Sequence, residues 1–117
     1  MRQFEDLEIW KNARIIVNEI SKLMQNYKDY GFKDQIQRAS ISIMNNIAEG
    51  SEAGSDALFI RYLNIAKGSC AEVRSMLYLC EDKQICSSDY AKNLRETLII
   101  IASSIKKLIN YLSTSTS

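Results

Sequence analysis

Apolar residues recur every three or four positions along most of the chain, and no proline interrupts them. In an α-helix this spacing places the apolar side chains on one face, and proline is the residue that most strongly breaks a helix from within. Three of the four glycines, Gly31, Gly50 and Gly54, fall between the periodic segments, where helices are expected to end. The sequence therefore predicts an all-α protein.

Four helices are predicted, at about residues 6–27, 32–49, 55–81 and 88–112, and residues 113–117 are expected to be disordered. Long helices that are joined by short connections favour antiparallel neighbours. We therefore predict an up-down-up-down antiparallel four-helix bundle, with residues 1–117 forming a single domain. The most regular apolar stripe belongs to the last helix and consists of Tyr90, Leu94, Leu98, Ile101, Ile105, Leu108 and Leu112.

The third helix has two parallel apolar lines. Its main buried stripe is predicted to be Leu58, Tyr62, Ile65, Ser69, Val73, Met76 and Cys80, widened by Phe59, Leu63, Ala66, Cys70 and Leu77. Gly50 is expected to close the second helix in the left-handed conformation. Gly68 lies mid-helix, where glycine costs about 1 kcal/mol relative to alanine, so we expect a neighbouring helix to approach closely there.

Neutral polar residues form a second stripe beside the apolar one on the second helix, which indicates a helix with partners on more than one side. Glu49 and Glu72 could form a carboxylate pair between neighbouring helices, but two unneutralised carboxylates in a core would repel. The favoured interpretation is a structural hydrogen-bond network in which donors such as Asn46, Ser69 or Arg38 satisfy them. The predicted polar motif comprises Gln35, Arg38, Asn46, Glu49, Ser69 and Glu72.

The composition argues against the common kinds of catalytic and metal sites. The chain contains no histidine and only three cysteines, without a CxxC motif, so neither a zinc site nor a histidine-activated nucleophile has its usual residues. We therefore predict no enzyme activity, no metal and no cofactor. The first twenty residues lack the apolar core of a signal peptide, and no apolar run is long enough to span a bilayer. A cytoplasmic protein without membrane contact is predicted.

The net charge of +1 does not indicate a dedicated nucleic-acid binder. Only the last helix is basic, and its candidate nucleic-acid contacts are Lys92, Arg95, Lys106 and Lys107. The alternative interpretation of these four residues is an ordinary solvated helix face.

Three segments resemble the bacterial four-helix bundle family that is encoded by intervening sequences in 23S ribosomal RNA genes. They are FEDLEIWKNA at 4–13, DYGFKDQIQRASISIMNNIAEG at 29–50, and IAKGSCAEVRS at 65–75. Eight residues stand where the family has them, namely Gln35, Arg38, Asn46, Glu49, Gly50, Gly68, Ser69 and Glu72. After NIAEG the family commonly has an aromatic residue and an arginine, whereas this chain continues with Ser51, Glu52, Ala53 and Gly54.

The resemblance implies a left-handed up-down bundle that assembles as a ring-like homopentamer. It also implies a distant similarity to the accessory proteins of diversity-generating retroelements, which hold nucleic acid and a reverse transcriptase on a basic surface. No catalytic residue is implied. If the arginine that commonly follows NIAEG serves nucleic-acid contact in the family, this chain has lost that contact.

Two functions remain open from the sequence. The first is a non-enzymatic oligomeric bundle that contacts RNA or a ribonucleoprotein, because a ring repeats each basic side chain on one surface. The second is a protein–protein adaptor or scaffold without a nucleic-acid role, which would receive a partner helix in a groove between its own helices.

Overall fold

Four long helices make up most of residues 3–115, the part of the chain that the computed structural model describes. They are α1 (Glu8–Met24), α2 (Tyr30–Ser51), α3 (Asp56–Asp82) and α4 (Ser88–Ser115), and a 3-10 turn at Phe4–Asp6 precedes α1. The described residues contain no strand, which confirms the all-α prediction. The predicted helix ends lie within a few residues of the observed ones.

Each helix packs against the next one in the chain, and α1 also packs against α4. Since α2 and α4 make no contact within the described residues, the four helices stand at the corners of a square. The body measures 48 × 21 × 20 Å, as expected for long helices lying side by side. The predicted up-down four-helix bundle is confirmed.

All four helices contribute aliphatic side chains to one core. Its largest fully buried members include Ile16, Ile20, Ile36, Ile43, Ile47, Leu63, Leu77, Leu98, Ile101 and Ile105. The stripe predicted for α4 is confirmed, with Tyr90 and Leu108 half-buried at the edge of the core and its other members buried. This burial supplies the main driving force for folding.

Side-chain caps fix where three of the helices begin. The Asp29 carboxylate accepts from the backbone N–H of Phe32 at 3.3 Å, and the Ser55 hydroxyl accepts from Leu58 at 3.2 Å. The Ser87 hydroxyl accepts from the N–H of Tyr90 at 3.1 Å. Each cap satisfies a backbone donor that the first helical turn leaves free.

The prediction for the buried stripe of α3 is partly wrong. Leu58 and Ile65 are 41% and 47% exposed. The buried residues are Val73, Met76 and Cys80 of the predicted stripe, together with Leu63, Ala66, Cys70 and Leu77 of the line predicted to widen it. The reason is that α3 packs against both α2 and α4, so its core side is the one that faces between these two helices.

The expectations for Gly50 and Gly68 are both wrong. Gly50 is helical and lies within α2, and a Cβ atom there would stand 2.8 Å from Phe59 Cδ1 and 2.9 Å from Tyr62 Cβ. At Gly68 a Cβ atom would meet nothing within 4 Å. The left-handed glycine of this region is Gly54, with φ of 88°. Close helix packing therefore explains Gly50, whereas no contact among residues 3–115 explains Gly68.

The expectation of a disordered tail is wrong for residues 113–115, where α4 continues. Two side chains bond back to the helix, because the Ser113 hydroxyl donates to the carbonyl of Ile109 and the Thr114 hydroxyl donates to that of Tyr111, both at 2.9 Å. Residues 116 and 117 lie outside the described residues.

Candidate functional site

A chain of neutral polar groups joins α2 to α3, and we call this region the α2–α3 seam. The Ser69 hydroxyl donates to the Ser42 hydroxyl at 2.9 Å. The Asn46 amide donates to the same Ser42 oxygen at 3.0 Å and to the Ser42 carbonyl at 2.8 Å. These groups are half-buried, so their bonds replace those that water would otherwise make. Ser42, which the predicted motif omits, is the centre of this network.

The other motif residues lie at the exposed edge of the seam. The Gln35 amide donates to the Glu72 carboxylate across the two helices at a long 3.4 Å. Arg38 pairs with Asp34 of its own helix at 3.0 Å instead of serving Glu49 or Glu72. Glu49 is exposed, and no hydrogen bond or ion pair found among residues 3–115 involves it. The partner of Arg38 is therefore a residue four positions away on its own helix, and not a carboxylate across the seam.

An apolar line runs along α3 beside the seam. Leu58, Ile65 and Leu79 occur at multiples of seven residues and are 41%, 47% and 44% exposed. Residues with this spacing lie nearly above one another on a helix. Gly68 is exposed on the same side of the helix, with open space in front of it. We call Leu58, Ile65, Gly68 and Leu79 the outer line of α3.

The four candidate nucleic-acid contacts on α4 fall into two groups. Lys92, Lys106 and Lys107 are exposed. The Arg95 side chain is only 13% exposed, because it bonds to the Glu81 carboxylate and lies 4.0 Å from the centre of the Tyr78 ring. The structure thus leaves the three lysines available to a ligand, whereas Arg95 links α4 to α3.

A cleft between α3 and α4 brings Arg95 and Lys92 together with residues that sequence reasoning did not select. Its lining consists of Arg74, Tyr78, Lys92, Arg95, Glu96 and Ile99, and we call it the α3–α4 cleft. Arg74 is half-buried, and among the described residues its buried Nε atom has no hydrogen-bond acceptor. The available sequence signal was the spacing of four between Arg74 and Tyr78, which places both on one side of α3.

An apolar groove lies at the end of the bundle where α1 begins. It is lined by Leu7, Ser51, Phe59, Leu108, Tyr111 and Leu112. Tyr111 is 67% exposed at its rim. No charged side chain lines it, which distinguishes this groove from the α3–α4 cleft.

The chain matches the model of a known protein family. The family model described as 23S rRNA-intervening sequence protein matches residues 5–109. The chain belongs to this family. None of the curated proteins shows a significant match to the chain.

A solved structure agrees with the assignment to the 23S rRNA-intervening sequence protein family. It is the crystal structure, at 1.70 Å resolution, of a protein of unknown function from the S23 ribosomal protein family of Bacteroides thetaiotaomicron. The two chains are 27% identical, with a TM-score of 0.76, over 86% of this chain and 97% of the other. Neither this description nor that of the family names a reaction.

The thiols of this family member are poor nucleophiles. Burial raises the pKa of Cys70 to about 12 and that of Cys80 to about 11, and burial also raises the pKa of Cys86. A thiol with a raised pKa stays protonated at neutral pH, and the thiolate is the reactive form.

None of the helices within residues 3–115 has the length and apolar character needed to cross a membrane.

Proposed function

We propose that the protein is a non-enzymatic helical bundle that assembles with copies of itself and contacts RNA or a ribonucleoprotein through α4. The outer line of α3 carries the first part of the proposal, since its large apolar side chains remain exposed after the core is complete. The resemblance to the family suggests a homopentamer as the stoichiometry.

The geometry of the outer line suits a second helix as its partner. Spacings of seven and fourteen residues keep Leu58, Ile65 and Leu79 on one line, as in helices that pack side by side, with Glu72 at the position between Ile65 and Leu79. Covering apolar surface gains about 25 cal/mol per Å². The open space at Gly68 would allow the partner's backbone to come close.

The RNA contact rests on charge and on the relatives. Lys92, Lys106 and Lys107 are exposed on one helix, and a ring would repeat them around one surface. The family description refers to 23S rRNA, and the structural neighbour is described as a member of a ribosomal protein family. The neighbour's description supports a ribonucleoprotein partner, whereas the family description refers to intervening sequences of 23S rRNA genes and names no RNA ligand.

Self-assembly is tested by native mass spectrometry of the wild type and of Ile65→Lys. We expect a pentamer for the wild type and a monomer for Ile65→Lys, because a lysine on the outer line would bury an unpaired charge in the interface. Ile100→Lys, at an exposed position on α4, is the matched control and should remain pentameric. A wild type that stays monomeric at tens of micromolar would contradict self-assembly.

RNA contact is tested by ultraviolet crosslinking in the native host, followed by sequencing of the RNA attached to the purified protein. We expect one RNA to be enriched over a non-crosslinked control. Binding of that RNA should weaken with salt and with Lys106→Gln/Lys107→Gln, because each lost phosphate contact reduces counterion release. Lys11→Gln/Lys22→Gln on α1 removes the same charge and is the control.

An RNA library indistinguishable from background would contradict RNA contact. An RNA affinity that does not fall with added salt or in Lys106→Gln/Lys107→Gln would contradict the assignment to α4. In either case the proteins that copurify with the chain would decide whether it is instead an adaptor.

A further inference from the structure

We propose that the α3–α4 cleft binds one nucleotide of a single-stranded nucleic acid, with the phosphate held by Arg74 and Lys92 and the base stacked on Tyr78. This inference rests on the proposed RNA contact and adds to it a specific site. Neither Arg74 nor Tyr78 belongs to the residues that the sequence selected for that contact.

The charges that line the cleft favour an anion. The lining contains three cationic side chains, those of Arg74, Lys92 and Arg95, and one carboxylate, that of Glu96. Arg95 is already neutralised by Glu81, so Arg74 and Lys92 are the cations left for a ligand. No ion pair found among residues 3–115 involves either of them. A phosphate between them would gain charge-assisted hydrogen bonds.

Arg74 is the residue that most needs a ligand. Its Nε atom is shielded from water and has no acceptor among the described residues, although a buried donor without a partner is costly. Arg74 lines the cleft, where an oxygen-rich anion could accept from the guanidinium N–H groups other than the buried Nε–H. Arginine is also the side chain whose planar donors best match a phosphate.

Tyr78 provides the means to recognise a base. Its side chain is 56% exposed, and the Arg95 guanidinium lies over its ring at 4.0 Å from the ring centre. The Arg95 guanidinium stands over one face of the ring, and the large exposed part of the side chain leaves room for a base to stack. An aromatic ring beside cations is the common arrangement in proteins that bind single strands without sequence preference.

The proposal is tested by fluorescence anisotropy with a labelled twelve-nucleotide oligouridylate and with an abasic strand of the same length. Arg74→Gln and Lys92→Gln should each weaken binding of both strands about tenfold and reduce the salt slope by about 0.7. Tyr78→Leu should weaken only the oligouridylate, by about fivefold or more, and Tyr78→Phe should restore it. Arg61→Gln, roughly 20 Å away along exposed α3, should bind as the wild type does.

Glu96→Gln separates a phosphate site from an internal ion pair. If Glu96 only repels the ligand, this variant should bind about twofold more tightly and keep its melting temperature. A lower melting temperature in both Glu96→Gln and Arg74→Gln, without a change in affinity, would show that the two residues pair with each other and would overturn the proposal. Lys92 is exposed, so Lys92→Gln tests the site without a risk to folding.

The outcomes distinguish this site from the wider function. Salt-sensitive binding by the wild type that is unchanged in Arg74→Gln, Lys92→Gln and Tyr78→Leu would refute the cleft and leave the RNA contact standing. Binding of the abasic strand alone, indifferent to Tyr78→Leu, would refute base stacking. No binding of either strand, together with no crosslinked RNA in the host, would refute both proposals.

Discussion

Gly50 is the position where a single atom decides how closely two helices pack. A Cβ atom would stand within 3 Å of Phe59 and Tyr62, and 3.3 Å from the Phe59 carbonyl oxygen. Because backbone and a Cβ atom are among these neighbours, rotation of a side chain cannot relieve the clash. The close approach of α2 and α3 at this end of the bundle therefore depends on glycine.

We predict that Gly50→Ala lowers the free energy of unfolding by about 1–3 kcal/mol, which is typical of overpacking. Urea denaturation followed by circular dichroism measures this change. Gly31→Ala is the control, since its Cβ atom would meet only Asp29 Oδ1, at an ordinary 3.7 Å. Equal stability of Gly50→Ala and the wild type would show that the helices separate without cost.

Gln84 occupies a position whose backbone conformation favours glycine, although the residue there is not glycine. Its φ is 59°, and it follows α3 in a left-handed turn. The N–H of Gln84 donates to the carbonyl of Glu81 at 2.9 Å, and that of Ile85 donates to the carbonyl of Cys80 at 2.8 Å. This pair of bonds closes a helix in the Schellman motif, where glycine is the usual residue.

Gln84→Gly should raise the free energy of unfolding by about 0.5–1 kcal/mol. The left-handed conformation costs a non-glycine residue about 1–2 kcal/mol, and part of the gain is lost to the flexibility of unfolded glycine. Gln84→Ala keeps the Cβ atom and should give no gain. Thermal and urea denaturation of the three proteins test this prediction, which fails if alanine and glycine behave alike.

At the level of helices, apolar periodicity predicted each element and most of its ends. The α4 stripe was predictable because one apolar line runs between polar faces. On α3 two apolar lines compete, and periodicity alone cannot tell which faces the core. That choice depends on the positions of α2 and α4, as does the buried Nε atom of Arg74. For the same reason the sequence could not show that a neighbouring helix approaches Gly50 and not Gly68.

The end of α3 is held to α4 by an ion pair that responds to pH. The hydrogen bond from Arg95, followed by one from Ser88, lowers the pKa of Glu81 below its ordinary value of 4.5. A carboxyl group with a lowered pKa stabilises the fold above its unfolded pKa, and this contribution disappears as the pH falls through the folded pKa.

We therefore expect Glu81→Gln to melt below the wild type at pH 7, and the gap in melting temperature to narrow as the pH falls below 4.5 and through the lowered pKa. Thermal melts between pH 3 and pH 7 measure it. Glu49→Gln removes the same charge at an exposed position that makes no ion pair among residues 3–115, and serves as the control for net charge. A gap that stays constant over this range would mean that Glu81 acts through packing and not through its charge.

In the whole molecule, α3 carries both proposed binding surfaces on different sides. Glu72, which lies on the outer line between Ile65 and Leu79, bonds to α2, whereas Arg74 and Tyr78 line the cleft with residues of α4. Assembly through the outer line would therefore leave the α3–α4 cleft open, and each additional copy would add one more nucleotide site. Several weak sites on one assembly can hold a strand firmly, because later contacts form at high effective concentration.

Gly68 separates the stability of the protomer from the strength of assembly. Alanine is favoured over glycine by about 1 kcal/mol inside a helix, and here its Cβ atom would touch nothing within one protomer. If a second copy packs against the outer line, the same Cβ atom would hinder its approach. Gly68→Ala should therefore stabilise the protomer by about 1 kcal/mol and weaken the assembly.

The protomer is measured by urea denaturation in the Ile65→Lys background, where assembly is removed, and the assembly by analytical ultracentrifugation of Gly68→Ala alone. We expect Gly68→Ala to raise the free energy of unfolding of the protomer, because alanine favours the helix. We expect the same change to lower the association constant, because the added Cβ atom hinders close packing of the copies. Ser103→Ala, at an exposed position in the middle of α4 and away from the outer line, is the control for helix propensity. A more stable protomer with an unchanged association constant would show that copies of the chain do not meet at Gly68.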